Sequence, residues 1–311
     1  MPTHHVLEPS PQSVHWGHFD ATLPPRLTVE SGDTVTITSV SGGPAQVPAA
    51  SRLLPAHIAI HSALKPELGA HILTGPVAIR GAEPGDLLEV RIKKIDFPCD
   101  WGFTAVMPLR GTLPEDFPDG QLLIVDLDRD AGVGRYPFGI DVPLKPFFGV
   151  MGVAPPKKWG RLTSIEPREF GGNIDLKHLT EGATLYLPVF EPGALFSVGD
   201  GHGAQGDGEV CLTAIETPLT GTFELHVHKA SAVKVPRAET PTHHITLGFD
   251  HDLDDAAKKA LREMIALLGT LKGLAPLDAY SLCSVAVDLH VTQLVNNVKG
   301  VHAMLPKSLL A

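Results

Sequence analysis

The chain is short of long apolar runs, of positive charge and of cysteine, and each shortage removes a class of protein. No stretch of about 18 or more consecutive apolar residues occurs, so no helix is expected to cross a bilayer. Lys and Arg total 25 against 35 Asp and Glu, a formal net charge of -10. That balance argues against a nucleic-acid partner, because a phosphate-binding face needs a basic cluster. Cys99, Cys211 and Cys283 are an odd, widely spaced set without CxxC, expected to be reduced thiols of a cytoplasmic protein. The N-terminus, MPTHHVLEPSPQSVHWGHFD, has neither a charged n-region nor an apolar h-region, so no secretory signal is expected. Familiar catalytic signatures are missing too: there is no GxSxG elbow, no GxxxxGK[ST], no HExxH and no GxGxxG opening a helix after a strand.

What is present points to a mainly β protein. The 311 residues are 43% hydrophobic with 31 Gly and 28 Pro, enough for one large or two closely packed domains. Strand-type runs separated by Gly, Pro and Asp dominate, so the expectation is a β-sandwich or barrel-like body over residues 1–240. PPRLTVESGDTVTITSV and HILTGPVAIRGAEPGDLLEVRIKKI each read as strand, turn and strand, and their ESGD and AEPGD turns echo one another. Pro84 and Gly85 suit the centre of a type II turn. GTFELHVHK alternates, with Phe223, Leu225 and Val227 on one face and His226 and His228 on the other. That histidine pair reads as a polar strand face, since no acid adjoins it in sequence. Composition changes at residue 241, where a small C-terminal α+β part is expected to dock on the body. HDLDDAAKKALREMIALLGTL reads as a helix with Leu261, Ile265 and Leu268 inward, PLDAYSLCSVAVDLHVTQLVN as a second helix, and GVHAMLP as an end strand.

Chemistry concentrates in Ser197–Glu216, SVGDGHGAQGDGEVCLTAIE, where Asp200, His202, Asp207 and Glu209 sit among five glycines. The runs on either side, LYLPVFEPGALFSV and VCLTAI, read as buried strands. Ionisable groups between core strands are costly unless paired, hydrogen-bonded or bound to metal. Asp200 and His202 share a face if the segment is extended, and a carboxylate beside an imidazole suits Zn2+ or a related ion. Asp207 and Glu209 repeat that spacing. A polar Gly-rich hairpin whose acids accept backbone N–H bonds explains the same residues equally well. His71, Asn173 with Asp175, and Glu83 read on their own as a structural histidine and as turn residues. His15 and His18, with Trp16, lie near the terminus and fit either a site or a surface clasp; His57 is likewise unassigned.

With these residues in view, the chain resembles the acetamidase/formamidase family over nearly its whole length. The matching segments are HWGHFDATLPPRLTVESGD, HILTGPVAIRGAEPGD, GGNIDLKHLTEGATLYLPV and SVGDGHGAQGDGEVCLTAIE, with SLCSVAVDLHVTQLVN and GVHAMLP near the C-terminus. The resemblance implies hydrolysis of short linear amides such as acetamide or formamide to a carboxylate and ammonia. It also implies a divalent metal ion, Zn2+ ahead of Ca2+, and a homo-oligomer. Carried over residue by residue, it makes Asp200, His202 and His71 the metal ligands and Glu209 the general base. Gln205, Asp207, Asn173, Asp175 and Glu83 fall beside the metal or the substrate. Backbone N–H groups of the Gly-rich segment are expected to stabilise the oxyanion, and Trp16, Trp101 or a Phe to wall a small pocket. Two rivals remain: a non-catalytic β-rich binding protein with structural Ca2+, and a hydrolase of another linear amide.

Overall fold

The alternating segment Thr220–His228 forms the expected strand, with Phe223 and Leu225 buried. The computed structural model describes residues 2–310 and places this strand between Thr34–Thr38 and Leu87–Asp96, antiparallel to both. Those flanking strands are the second halves of the two echoing units, and neither unit is a hairpin. Their first halves, Leu27–Val29 and Ile72–Ile79, pair in parallel in a different sheet. Each turn therefore carries the chain across from one sheet to the other. In both, the closing aspartate fixes the corner: Asp33 accepts from Glu30 N at 2.9 Å, and Asp86 accepts from Glu83 N at 2.8 Å. Gly85, at φ +95°, takes the left-handed position that a type II turn requires.

The result is a sandwich. One sheet has nine strands, in the order His4–Leu7, Thr34–Thr38, Thr220–His228, Leu87–Asp96, Thr184–Pro188, Arg237–Glu239, His243–Asp250, Lys299–Pro306 and Asp288–Gln293. The other has six, running Gly171–Asn173, Phe147–Gly152, Phe196–His202, Ile72–Ile79 and Val14–Trp16, with Leu27–Val29 beside Ile72–Ile79. Phe148 and Phe196 of the second sheet pack on Phe223 of the first, with ring centres 5.5 and 5.9 Å apart. Burying each such ring stabilises the fold by about 1.5–3 kcal/mol. A four-stranded antiparallel sheet runs from Trp101–Val106 to Asp141–Pro143, and Glu216 bridges it, through Phe103, to His202 of the six-stranded sheet.

The C-terminal part departs from the sequence reading in three ways. Leu253–Lys272 is a helix, capped by Asp252 accepting from Asp254 N and Asp255 N and closed by Gly273 at φ +67°. Its fully buried positions are Ala256, Ala260, Met264 and Leu268, while Leu261 and Ile265 are only half-buried. The next helix stops at Ala286, and Asp288–Gln293 is a strand. DLHVTQ alternates and pairs with Lys299–Pro306, a partner invisible to local periodicity. Lys299–Pro306 is itself interior, flanked by His243–Asp250 on its other side. These strands continue the nine-stranded sheet, so the α+β part joins the body through the sheet itself. VCLTAI is also not a strand: it is irregular, with Val210 59% exposed. Among the described residues no helix is long and apolar enough to cross a membrane, and all three cysteines are free.

Candidate active site

Four elements deliver carboxyl groups to one point. Phe196–His202 lies in register against Phe147–Gly152, Phe147 opposite His202 and Val150 opposite Gly199, and brings in Asp200 and His202. Gly171–Asn173 pairs with the far edge of Phe147–Gly152, so Asn173 and, just beyond it, Asp175 arrive from that side. Glu216 is held by the Phe103 backbone, exchanging N–H···O bonds of 2.8 and 2.9 Å. Glu209 enters from the Gly-rich loop. Asp175, Asp200, Glu209 and Glu216 are all buried, as are His202 and Asn173. Asp175, Asp200 and Glu209 have φ of +52°, +59° and +46°. Such backbone costs about 1–3 kcal/mol a residue and accumulates where side chains must be aimed.

The imidazoles are oriented from behind. Gln205 donates through Nε2 to Asp175 O at 2.9 Å, which leaves its Oε1 to accept from Nδ1–H of His202, also at 2.9 Å. The Nε2 of His202 then faces Asp200 Oδ2 at 3.3 Å and Glu216 Oε1 at 3.4 Å without a hydrogen-bond partner. His71 does the same: Nδ1 donates to Ser164 O at 3.1 Å, and Nε2 lies 3.7 Å from Asp200 Oδ2. Two bare ring nitrogens turned on one carboxylate oxygen repel unless a proton or a cation lies between them.

Electrostatics agree. Burial opposes charge on His202, yet the Glu216 and Asp200 carboxylates overcome it and push the imidazole well above its ordinary value. Burial likewise works against ionised Asp200, but His71 and His202 hold it below the usual carboxylate range. Burial pushes Asp175 up to about 8, and it pushes Glu209 and Glu216 up as well, helped by neighbouring carboxyls. Burial thus favours the neutral form of these three carboxyls, and they could ionise together only beside a compact positive charge. Donor atoms of Asp175, Asp200 and His202 lie within 4.8 Å of one another, as do those of His202, Glu209 and Glu216. Gly149 completes the cradle. A Cβ there would lie 2.6 Å from Asp175 Oδ1, 2.7 Å from Asp200 Oδ2 and 2.9 Å from His202 Cε1, so only glycine leaves the space open. Carboxylate and imidazole donors around an open position suit a divalent cation, with imidazole favouring Zn2+ over Ca2+.

Above this floor lies a cavity of about 190 Å3, lined by Val40, Ile72, Phe103, Ile165 and Leu212 together with Asn173, Asn296 and Arg110 at the polar positions. That is below the roughly 300–1,000 Å3 of drug-sized ligand pockets. Asn173 donates to Ile165 O at 3.1 Å, and its Oδ1 is a buried acceptor with no partner. Asn296 donates to Asp175 Oδ2 at 2.5 Å.

The sequence candidates divide accordingly. Asp200, His202, His71, Glu209, Asn173 and Asp175 converge, with Gln205 behind them. Glu83 does not: it is an exposed residue of the corner turn at Asp86. Asp207 also misses the cleft, since its side chain turns the other way, onto Lys177 and His290. His15 and His18 are buried behind the strand, with His15 bonded to Ser197 Oγ and His18 O, and His57 is bonded to Ser41 O. The pocket wall is Phe103 rather than Trp16 or Trp101. The N–H groups of Gly201, Gly203, Gly208 and Glu209 are already bonded within the protein and offer no oxyanion hole. His226 and His228 do meet acids, Glu224 at 2.5 Å and Glu89 across the sheet. Glu216, Asn296 and Gly149 went unassigned. Glu216 closes the segment SVGDGHGAQGDGEVCLTAIE as an acid after an apolar pair, a weak signal; nothing local marks Asn296.

The sequence profile of the acetamidase/formamidase family matches residues 8–163 and 160–310. The formamidase of Methylophilus methylotrophus is 28% identical over 257 residues, covering 61% of this chain and 61% of that protein. Two further curated relatives are matched over about half their length. A predicted acetamidase/formamidase from Thermoanaerobacter tengcongensis superposes with a TM-score of 0.88 at 27% identity, over 100% of this chain and 98% of the other. The acetamidase of Bacillus halodurans gives 0.85 at 30% identity, over 98% of each chain.

Proposed function

The chain belongs to the acetamidase/formamidase family, and from that premise we propose that it hydrolyses short aliphatic amides to a carboxylate and ammonia with a divalent metal ion in the cleft. The observation that carries the reading is the convergence of four buried carboxyls and two outward-anchored imidazoles on the cradle at Gly149. Asp200, His202 and His71 would hold the ion, with Asp175 within reach. Bound there, a Zn2+ ion supplies Lewis acidity, polarising an amide carbonyl and making a water more acidic.

The chain's own groups account for the rest. Asn173 Oδ1, buried and unpartnered, accepts from the amide NH2, a donor that an ester or acid lacks. Val40, Ile72, Phe103 and Ile165 exclude water around a short acyl group and leave no room for a long one. Glu209 removes a proton from the attacking water as its oxygen bonds to the carbonyl carbon. It returns the proton to nitrogen as the C–N bond breaks. Burial and neighbouring acids raise Glu209 toward the range where one carboxyl serves as base and then acid. An imidazole nitrogen among the donors supports Zn2+ over a structural Ca2+. The same reading makes the protein a cytoplasmic homo-oligomer, which sedimentation of the purified chain and fractionation would check.

Ammonia release from formamide, acetamide and propionamide, before and after chelation and Zn2+ replenishment, tests the proposal. Turnover should favour the smallest amides, stop on chelation and return with the metal. Absence of ammonia from every amide with the metal-loaded protein would refute it.

A further inference from the structure

We propose that the chain carries a second transition-metal site, distinct from the cleft, formed by His178, Asp207 and His302. One donor atom from each lies within 4.8 Å of the others. They come from three places far apart in sequence: the loop after Asp175, the Gly-rich loop, and the strand Lys299–Pro306. His302 is completely buried, and its Nδ1 is 2.8 Å from the hydroxyl of buried Thr292. Donating there leaves Nε2 as a bare lone pair, and Nε2 has no hydrogen-bond partner; neither has Nε2 of His178. A histidine anchored through one nitrogen, its other free in a dry site, is how metal-ligating imidazoles are presented. Burial pushes His302 well below, and His178 below, the usual imidazole value, so both stay neutral and able to ligate.

Two imidazoles and one carboxylate with a position to spare is a donor set suited to Zn2+ or Co2+ rather than Ca2+. His290, stacked on His302 with ring centres 5.0 Å apart and with Nδ1 3.5 Å from Asp207 Oδ2, stands beside that position. Lys177 Nζ is 2.8 Å from the same Oδ2. The lysine thus competes with an ion for Asp207. His178 also lines an open cleft with Lys177, Gln205, Gly206 and His243, so the site is approached from that side.

The site has a consequence for the first one. Asp207 is two residues from Glu209, and Gly208 between them is already tied to the C-terminal strands, through Gly208 N to Thr292 O at 3.2 Å and Leu294 N to Gly208 O at 3.0 Å. An ion at Asp207 would complete this clamp, joining the loop that carries Glu209 to His178 and His302.

Stripped protein titrated with Co2+ and with Zn2+, followed by absorption and by calorimetry, gives the test. Wild type should bind one equivalent more than His302→Gln, whether or not the cleft itself takes an ion. The missing equivalent should carry the intense visible bands of a four-coordinate Co2+ site. If His302→Gln does not fold, His178→Gln and Asp207→Asn, both nearer the surface, must each lose the same equivalent. Lys177→Met should tighten that equivalent by about tenfold or more by removing the competing cation. Equal stoichiometry in wild type and in a folded His178→Gln or Asp207→Asn would overturn the proposal. Loss of amidase activity with stoichiometry unchanged would overturn it as well.

Discussion

Adding one methyl group at Gly149 should disable the cleft while leaving the sandwich standing. The Cβ of Gly149→Ala would fall 2.6 Å from Asp175 Oδ1 and 2.7 Å from Asp200 Oδ2, so these oxygens must retreat by about 0.8 and 0.7 Å to regain ordinary contact at 3.4 Å. Neither has room to swing freely. Asp175 is tied by Asn296, and Asp200 lies between His71 and His202 on a strand paired along both edges. Overpacking of this kind costs about 1–3 kcal/mol of stability, and displacing a catalytic group by about 1 Å costs on the order of 10²-fold in rate. The expected outcome is a fall of about two orders of magnitude or more in ammonia release from formamide, weaker Zn2+ binding in the cleft, and a modest loss in Tm. Gly206→Ala is the matched control, because a Cβ there meets nothing within 4 Å. Full activity and unchanged metal affinity in folded Gly149→Ala would refute the cradle, and with it the placement of the ion against Asp200 and His202.

Three further outcomes follow from named contacts. Glu209→Gln should lower kcat by about 10²–10⁴-fold while the cleft retains its metal by elemental analysis, and wild-type turnover would remove Glu209 from proton transfer. Asn296→Ala leaves Asp175 Oδ2 without its donor in a buried site, a loss of about 1–3 kcal/mol that should appear in kcat and in Tm together; an effect on neither would mean the bond is idle. Asp86 gives the pH case: burial raises its value, but Lys229 and the N–H groups of Glu83 and Ala230 outweigh burial and hold it below the ordinary carboxylate range. Its folded-state value lies below its unfolded one, so its stabilisation is complete above the usual carboxylate range and is lost as pH falls through the folded value. Asp86→Asn should therefore lower Tm at neutral pH and flatten the acid-side decline, and parallel acid slopes for variant and wild type would contradict this.

Much of the cleft was legible because its strongest element is continuous in sequence. Asp200, His202, Gln205 and Glu209 lie within ten residues, and acids and imidazoles at that density beside an apolar strand mark a place where ionisable groups must be paired, hydrogen-bonded or bound to a cation. Asp207 shows the limit of that logic. It sits between two cleft residues and has the same chemistry, yet its side chain faces His178 and His302, because the Gly-rich loop follows no strand alternation at that point. The helix expected over PLDAYSLCSVAVDLHVTQLVN forms over Pro276–Ala286 but stops short for a similar reason: the partner strand that makes DLHVTQ extended lies beyond the next turn.

Local sequence was enough for the alternation of strands, the two acidic corners, the capped helix at Leu253–Lys272 and the clustering of acids and imidazoles around Asp200 and His202, since each depends on neighbours a few residues apart. Which acids meet depends on long-range packing. Glu216, Asn296 and the backbone of Gly149 come from separate strands and loops, and they share one point because two sheets pack face to face around it. Convergence is a property of that packing: distances between residues 149, 175, 200, 216 and 296 are set by strand register and sheet separation, which no local spacing encodes.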